Sequence, residues 1–198
     1  MEYIHHYNSP LGRMTMASAG SGLTGLWFDG QKYFGSTIGQ GGVSGDLPVF
    51  DETERWLDLY FSGQAPDFTP PLAVFTEDVP KHRQAASGDM KAAPAYRQPA
   101  RTAFDTPLAG WATPFRQAVW KILMAVPYGE TISYRQIAGR LSQHSCSAQA
   151  VGGAVGHNPI TLIIPCHRVI GADGSLTGYA GGLERKAKLL EMERAKFI

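Results

Sequence analysis

The sequence predicts an α+β fold: a small N-terminal β-sheet domain with one helix, followed by an α-helical C-terminal domain that contains a helix-turn-helix. Three observations predict it. Residues 1 to 62 hold several strand-length apolar runs separated by turn signals, and only one apolar stripe at helical spacing. Residues 74 to 106 break that pattern, with seven alanines, three prolines, nine scattered charges and no sustained period of 3.6 or 2. From Thr113 onward, capping residues and helical stripes dominate. The chain is therefore divided into an N-terminal domain, 1–73, an inserted linker or mobile loop, 74–106, and a C-terminal domain, 107–198.

In the first domain, Tyr3 to Tyr7 suits a strand, Ser9-Pro10-Leu11-Gly12 a turn, Met14 to Ala17 a second strand, and Leu23 to Phe28 a third that ends at Asp29-Gly30. Residues 35 to 45 carry five glycines without the order of a phosphate loop and read as a flexible loop. From Pro48, the spacing of Phe50, Thr53, Trp56, Leu57, Tyr60 and Phe61 predicts a helix whose aromatics fill a core. Around the linker, Asp67 to Ala73 is echoed by Phe104 to Ala109.

In the second domain, Thr113 and Pro114 can start a helix with Phe115, Val119, Ile122, Leu123 and Val126 on one face. Ser133-Tyr134-Arg135-Gln136 fits a capping box ahead of a stripe of Tyr134, Ile137, Ala138 and Leu141. Ser147 can cap a further short helix, Ala148 to Val155, which completes the helix-turn-helix outline. This last helix is almost without bulk. Two consecutive glycines, Gly152 and Gly153, cost about 1 kcal/mol each relative to alanine, so close approach of another backbone is needed to explain them. A neighbouring helix or a nucleic-acid strand would both serve.

Ile160 to Ile164 reads as a short buried strand that delivers Pro165-Cys166-His167-Arg168-Val169. Burying a thiol, an imidazole and a guanidinium is costly unless each finds a partner, which marks a built site. On a regular strand Cys166 and His167 would face opposite ways, so either the backbone bends after Pro165 or a water carries the proton. A thiol needs a basic or cationic neighbour to become a nucleophile. His167 can be that neighbour, and an acidic partner for it is offered by Glu184, Glu191 or Glu193. Cys146 and Cys166 are the only cysteines, too few for a disulfide framework. With no secretory leader pattern and no bilayer-length apolar run, the sequence points to a cytoplasmic chain. Residues 1 to 106 carry 8 Lys and Arg against 12 Asp and Glu, and residues 107 to 198 carry 10 against 5, so the polyanion-facing half is the second.

The run Ala150-Val151-Gly152-Gly153-Ala154-Val155-Gly156-His157-Asn158-Pro159, the segment Pro165 to Val169, and Gly174 to Lys186 together closely resemble the O6-alkylguanine-DNA alkyltransferases over about residues 111 to 196, with a weaker likeness in the first 70. The resemblance implies a ribonuclease H-like N-terminal domain and a winged-helix-like C-terminal domain. It also implies irreversible transfer of an alkyl group from O6-alkylguanine in duplex DNA, with O4-alkylthymine as a second candidate, onto the protein's own cysteine. Cys166 would be the acceptor, activated through a water by His167, which Glu193 holds. Tyr134 would protonate or hydrogen-bond the departing guanine, and Asn158 would tie the helix-turn-helix to the active-site turn. Tyr179 would line the base pocket, and Ala148, Gln149, Gly152, Gly153, Arg168, Val169, Ala180 and Lys186 complete the implied DNA and substrate contacts. Double-stranded DNA is the partner, the chain acts as a monomer, and no cofactor or metal is required.

Three positions depart from the family pattern. Gln149 stands where an arginine usually fills the space of the flipped base, Ala180 replaces a serine found in some members, and the 74–106 insertion has no counterpart. The structural zinc of some members is not expected, because the N-terminal half has no cysteine and His5 and His6 would point apart on a strand. Cys146, His82, His144 and His157 read as loop or surface residues. The competing readings are a non-catalytic lesion-binding or regulatory helix-turn-helix protein and a Cys-His-Glu hydrolase.

Overall fold

A computed structural model describes residues 2–20, 22–38, 41–75, 111–141 and 146–194. Apart from Val74 and Phe75, the predicted linker lies outside the described residues, as do its echo at 104–109, His82, and the helix-turn-helix turn with His144. No helix among the described residues is long and apolar enough to cross a membrane.

The N-terminal sheet is built from β1 (Tyr3–Ser9), β2 (Gly12–Ser18), β3 (Leu23–Phe28) and β4 (Val43–Ser44), in the order β3-β2-β1-β4. β2 is antiparallel to both neighbours, and β4 runs parallel to β1. The glycine-rich segment read as a flexible loop thus contributes an edge strand, because main-chain pairing does not depend on the side-chain pattern. Every residue of β3 is buried. Its outer edge is closed by two separate segments: Leu72 bridges Leu23, and Ile160 bridges Leu26. Leu26 N–H donates to Pro159 O and Thr161 N–H donates to Leu26 O, both at 2.8 Å, so the segment leading to Cys166 is stitched onto the N-terminal sheet. Helix α1 (Pro48–Phe61) has Pro at its start and buries Phe50, Trp56, Leu57 and Tyr60.

The C-terminal domain comprises α2 (Pro114–Met124), β5 (Ile132–Ser133), α3 (Tyr134–Arg140), α4 (Ala148–Gly156), a 3-10 turn (Cys166–Arg168), β6 (Val169–Ile170) and α5 (Leu183–Met192). The three predicted caps form: Thr113 accepts from Arg116 N–H, Ser133 and Gln136 make the reciprocal capping box, and Ser147 accepts from Ala150 N–H. The buried face of α2 differs from the predicted stripe. Gln117, Val119, Trp120 and Leu123 turn inward, and Phe115 is 36 % exposed. Trp120 wins the core position because its indole N–H finds Ala154 O at 3.0 Å, so its bulk is buried with its donor satisfied.

The expected strand at Ile160 to Ile164 does not form. Ile163 N–H bonds Thr161 O and Ile164 N–H bonds Ile160 O, which folds the run into a tight loop with Leu162 at φ 73°. An unbroken apolar run reports burial but carries no period, and here burial came without extension.

Candidate active site

The chain leaves that loop at Pro165 and enters the 3-10 turn, which carries three consecutive buried side chains: Cys166, His167 and Arg168. The bend replaces the strand alternation that would have sent Cys166 and His167 to opposite faces. Cys166 lies at a cleft of about 620 Å³ whose lining also includes Tyr134, Gly152, Gly153, Thr177, Gly178, Tyr179 and Ala180. The residue is 4 % exposed.

Asn158 holds the sulfur. Its Nδ2 donates to Ile164 O at 2.7 Å, to Cys166 Sγ at 3.1 Å and to Ile160 O at 3.2 Å, while its Oδ1 accepts from Ile160 N–H at 2.9 Å. One amide therefore fixes the loop and the thiol together, directly after α4. Burial pushes the Cys166 thiol up from its ordinary value, while the Asn158 hydrogen bond and the Lys186 charge pull the other way.

His167 is fully buried and its Nε2 lies 2.7 Å from Glu193 Oε1. Glu193 in turn receives a fork from Arg168, Nε to Oε2 at 2.8 Å and NH2 to Oε1 at 2.9 Å. Gly129 N–H adds a bond to Oε2 at 3.2 Å, and the Tyr60 hydroxyl adds one to Oε1 at 2.8 Å. Burial would raise the Glu193 carboxyl, yet the His167 and Arg168 hydrogen bonds and charges hold it well below the usual carboxylate range. Burial pushes His167 down against the pull of Glu193, so the pair is a neutral imidazole beside a carboxylate. With Nε2–H donating its hydrogen bond to Glu193, Nδ1 is left as the acceptor, and it is buried without a partner among the described residues.

The implied site residues fall into three groups. Cys166, His167, Glu193 and Asn158 are brought together, and Tyr134 stands across the cleft with its hydroxyl 3.5 Å from Gly178 O. Ala148, Gln149 and Gly153 lie on the exposed face of α4, with Gly152 half-buried, while Val151, Ala154 and Val155 pack inward. A Cβ added at Gly153 would meet nothing within 4 Å. Tight helix packing is therefore not what requires glycine there, and the small-residue face is open to an outside strand. Gln149 is exposed and does not line the cleft.

The side chains of the third group are buried. Arg168, Val169 and Lys186 are 8 %, 0 % and 0 % exposed. Arg168 is consumed by Glu193 and by Val126 O at 2.7 Å. Lys186 Nζ donates to Val169 O and Thr177 O, which ties α5 to the cleft loop. Burial brings its ammonium down to about 8, with the nearby Cys166 pulling upward. Residues 177 to 180 supply the outer wall, and Tyr179 has its hydroxyl buried without a partner among the described residues.

Sequence reasoning missed three contributions from the N-terminal domain. Lys32 and Tyr33 line the cleft, anchored by the Lys32 N–H to Ala180 O bond at 3.0 Å. Tyr33, at φ 64°, stacks on His157 with centroids 4.3 Å apart. His157, read as a surface residue, thus backs that ring, and its Nδ1 lies 2.6 Å from Gly153 O. Tyr60, read only as core, reaches Glu193. None of these carries a local signal, since each depends on how the two domains meet. Cys146 is half-buried, with Sγ 3.8 Å from Ala138 O, and is not part of the cleft. His5 and His6 bond Glu54 and Thr15 respectively, and among the described residues no three His, Cys, Asp or Glu side chains group to hold a metal.

Two family models match the chain: the ribonuclease-like domain of 6-O-methylguanine DNA methyltransferase over residues 3–74 and the DNA-binding domain of the same family over 114–195. A methylated-DNA–protein-cysteine methyltransferase of Mycobacterium tuberculosis is 38% identical over 96% of this chain and 93% of its own length. One from Haemophilus influenzae is 32% identical over 99% of this chain and 88% of its own. Among solved structures, the Mycobacterium tuberculosis protein in complex with DNA superposes with a TM-score of 0.68 at 36% identity, covering 97% of this chain and 92% of that one. Two matched domains in the same order, near-complete coverage and a cleft that ends on a clamped cysteine agree: this chain belongs to the 6-O-methylguanine DNA methyltransferase family.

Proposed function

We propose that the protein repairs DNA by moving an alkyl group from O6 of guanine in duplex DNA onto Cys166, once per molecule. The observation that carries this reading is the Asn158-clamped Cys166 sulfur at an open cleft, next to an imidazole whose free nitrogen is an acceptor. The target base leaves the stack to reach such a cleft, at a cost of a few kcal/mol met by contacts to the flipped base. The exposed small-residue face of α4 admits the duplex closely, and the relative solved with DNA has the same fold.

In this reading the Cys166 proton passes through one water to His167 Nδ1. Glu193 holds the Nε2 proton in place and stabilises the imidazolium that results. The thiolate attacks the alkyl carbon in line. The carbon–oxygen bond breaks as the sulfur–carbon bond forms, and guanine departs neutral by taking the Tyr134 proton, which solvent restores as the His167 imidazolium gives up the proton it took from Cys166. Burial holds the Tyr134 phenol above its ordinary value, so it remains a donor at neutral pH. The product is a thioether with no route back to the thiol. The protein acts as a monomer, one copy for each lesion, and its need for free thiols suits a reducing cytoplasm.

The test is intact-mass spectrometry after mixing with a duplex that contains O6-methylguanine. One added methyl, mapped to Cys166 and reached at one equivalent, is the expected result; an unchanged mass is the result of a binder without transfer, and would overturn the proposal. Gln149 gives a second prediction. It sits exposed on α4 where the family usually has arginine, so it offers hydrogen bonds but no cation to the duplex. Gln149→Arg is expected to tighten duplex affinity about threefold to tenfold at moderate salt and to steepen its salt dependence, measured by fluorescence anisotropy.

A further inference from the structure

We infer that Tyr60, a side chain of the N-terminal domain, is a positioning residue for the transfer reaction: its hydroxyl sets how strongly Glu193 holds the His167 imidazole. α1 carries Tyr60 across the domain boundary, where its hydroxyl donates to Glu193 Oε1 at 2.8 Å and lies 3.3 Å from His167 Nε2. The ring is fully buried, stacked on Trp56 at 5.3 Å and set edge-on to His167 at 6.3 Å. A purely structural aromatic there would be better as phenylalanine, which adds no hydroxyl to desolvate. The neighbouring position is phenylalanine, Phe61. Burial and the Glu193 charge hold the Tyr60 phenol well above its ordinary value, so it is a permanent donor.

The effect has a definite sign. Oε1 already takes the imidazole Nε2–H and the Arg168 NH2. A third donor draws further charge from it and weakens its hold on an imidazolium. The imidazole is faced by Glu193 at the C-cap of α5, Lys186 on α5, Arg168 on the turn and Tyr60 on α1. Tyr60 is the only one of these from the N-terminal domain. Its second contact, as an acceptor for Nε2–H, is longer at 3.3 Å, so the bond donated at 2.8 Å decides the outcome. Removing the hydroxyl lets His167 keep a proton to higher pH, where it can no longer accept one from Cys166. This gives the N-terminal domain a part in the chemistry, although the thiol and its base both belong to the other domain.

The inference rests on the alkyl-transfer reading, and two readouts separate them. In Tyr60→Phe, the His167 imidazole pKa followed by 15N NMR is expected to rise by about one pH unit, and the acid limb of the single-turnover methyl-transfer rate to move up with it. Transfer at saturating duplex should slow several-fold near that limb while the duplex Kd holds. An imidazole pKa at or below the wild-type value overturns the role of Tyr60. A normal pKa shift in a protein that takes no methyl overturns the alkyl-transfer reading instead. Should Tyr60→Phe fail to fold, site-specific 3-fluorotyrosine at position 60 strengthens the donor and keeps the ring. The pKa and the limb must then move down, and a shift upward or none at all refutes the inference.

Discussion

Cys166→Ala abolishes methyl transfer and leaves duplex binding in place. The reaction needs a soft nucleophile at that point, and no other thiol lines the cleft. Cys146 carries the only other thiol in the chain, and it is half-buried against Ala138 O in a different setting. The loss is therefore total rather than partial, because no side chain next to Sγ can form the thioether. The fold should tolerate the change. Removing one buried sulfur costs about 1 kcal/mol, and the Asn158 amide keeps Ile160 O and Ile164 O as acceptors when Sγ is gone. Intact-mass spectrometry and anisotropy with the same O6-methylguanine duplex check both halves. Methylation that survives in Cys166→Ala would remove Cys166 from the mechanism, and peptide mapping would name its replacement.

How far the site could be read in advance depended on whether a feature was local. The caps at Thr113, Ser133 and Ser147 are written in three or four consecutive residues, and all three formed. The strands of the hairpin-rich start alternate or end at turn pairs, and they also formed. The stretch Ile160 to Ile164 was misread because apolar residues alone report burial and say nothing of extension, and a loop closed by its own backbone bonds buries them equally well. Glutamate partners were undecidable from the residues for another reason. Glu184, Glu191 and Glu193 all sit near the end of the chain, and only the folded arrangement shows the first two exposed and Glu193 turned in against an arginine 25 residues earlier. Arg168, Val169 and Lys186 belong to the same lesson. The family resemblance implied substrate contact for them, and the fold shows what no sequence pattern could, that their side chains are buried as counter-charges and anchors of the site.

Glu193→Gln should cost stability and transfer together. The carboxylate caps the C-terminal end of α5, where a negative charge opposes the helix dipole, so its position depends on the donors aimed at it. An amide there keeps one oxygen but turns an NH2 toward the Arg168 fork. A buried guanidinium is left without its counter-charge, at a cost of about 3–5 kcal/mol. Transfer should fall by roughly two to four orders of magnitude, because the amide oxygen facing His167 Nε2 carries no negative charge to stabilise the imidazolium formed when Cys166 gives up its proton. The pH dependence distinguishes the cause from general loosening. His167 is depressed by burial, so the wild-type protein starts to lose stability as pH falls through 6.5, where the unfolded imidazole takes up a proton that the folded one resists. Glu193 is also depressed, so its contribution is complete above 4.5 and is lost as pH falls below it. In Glu193→Gln the first loss remains and the second disappears. Melting temperatures followed from neutral pH downward should therefore differ by a steady gap down to 4.5 and converge progressively below it. A gap that stays constant below 4.5 as well would mean that the carboxylate charge is not what Arg168 and His167 depend on.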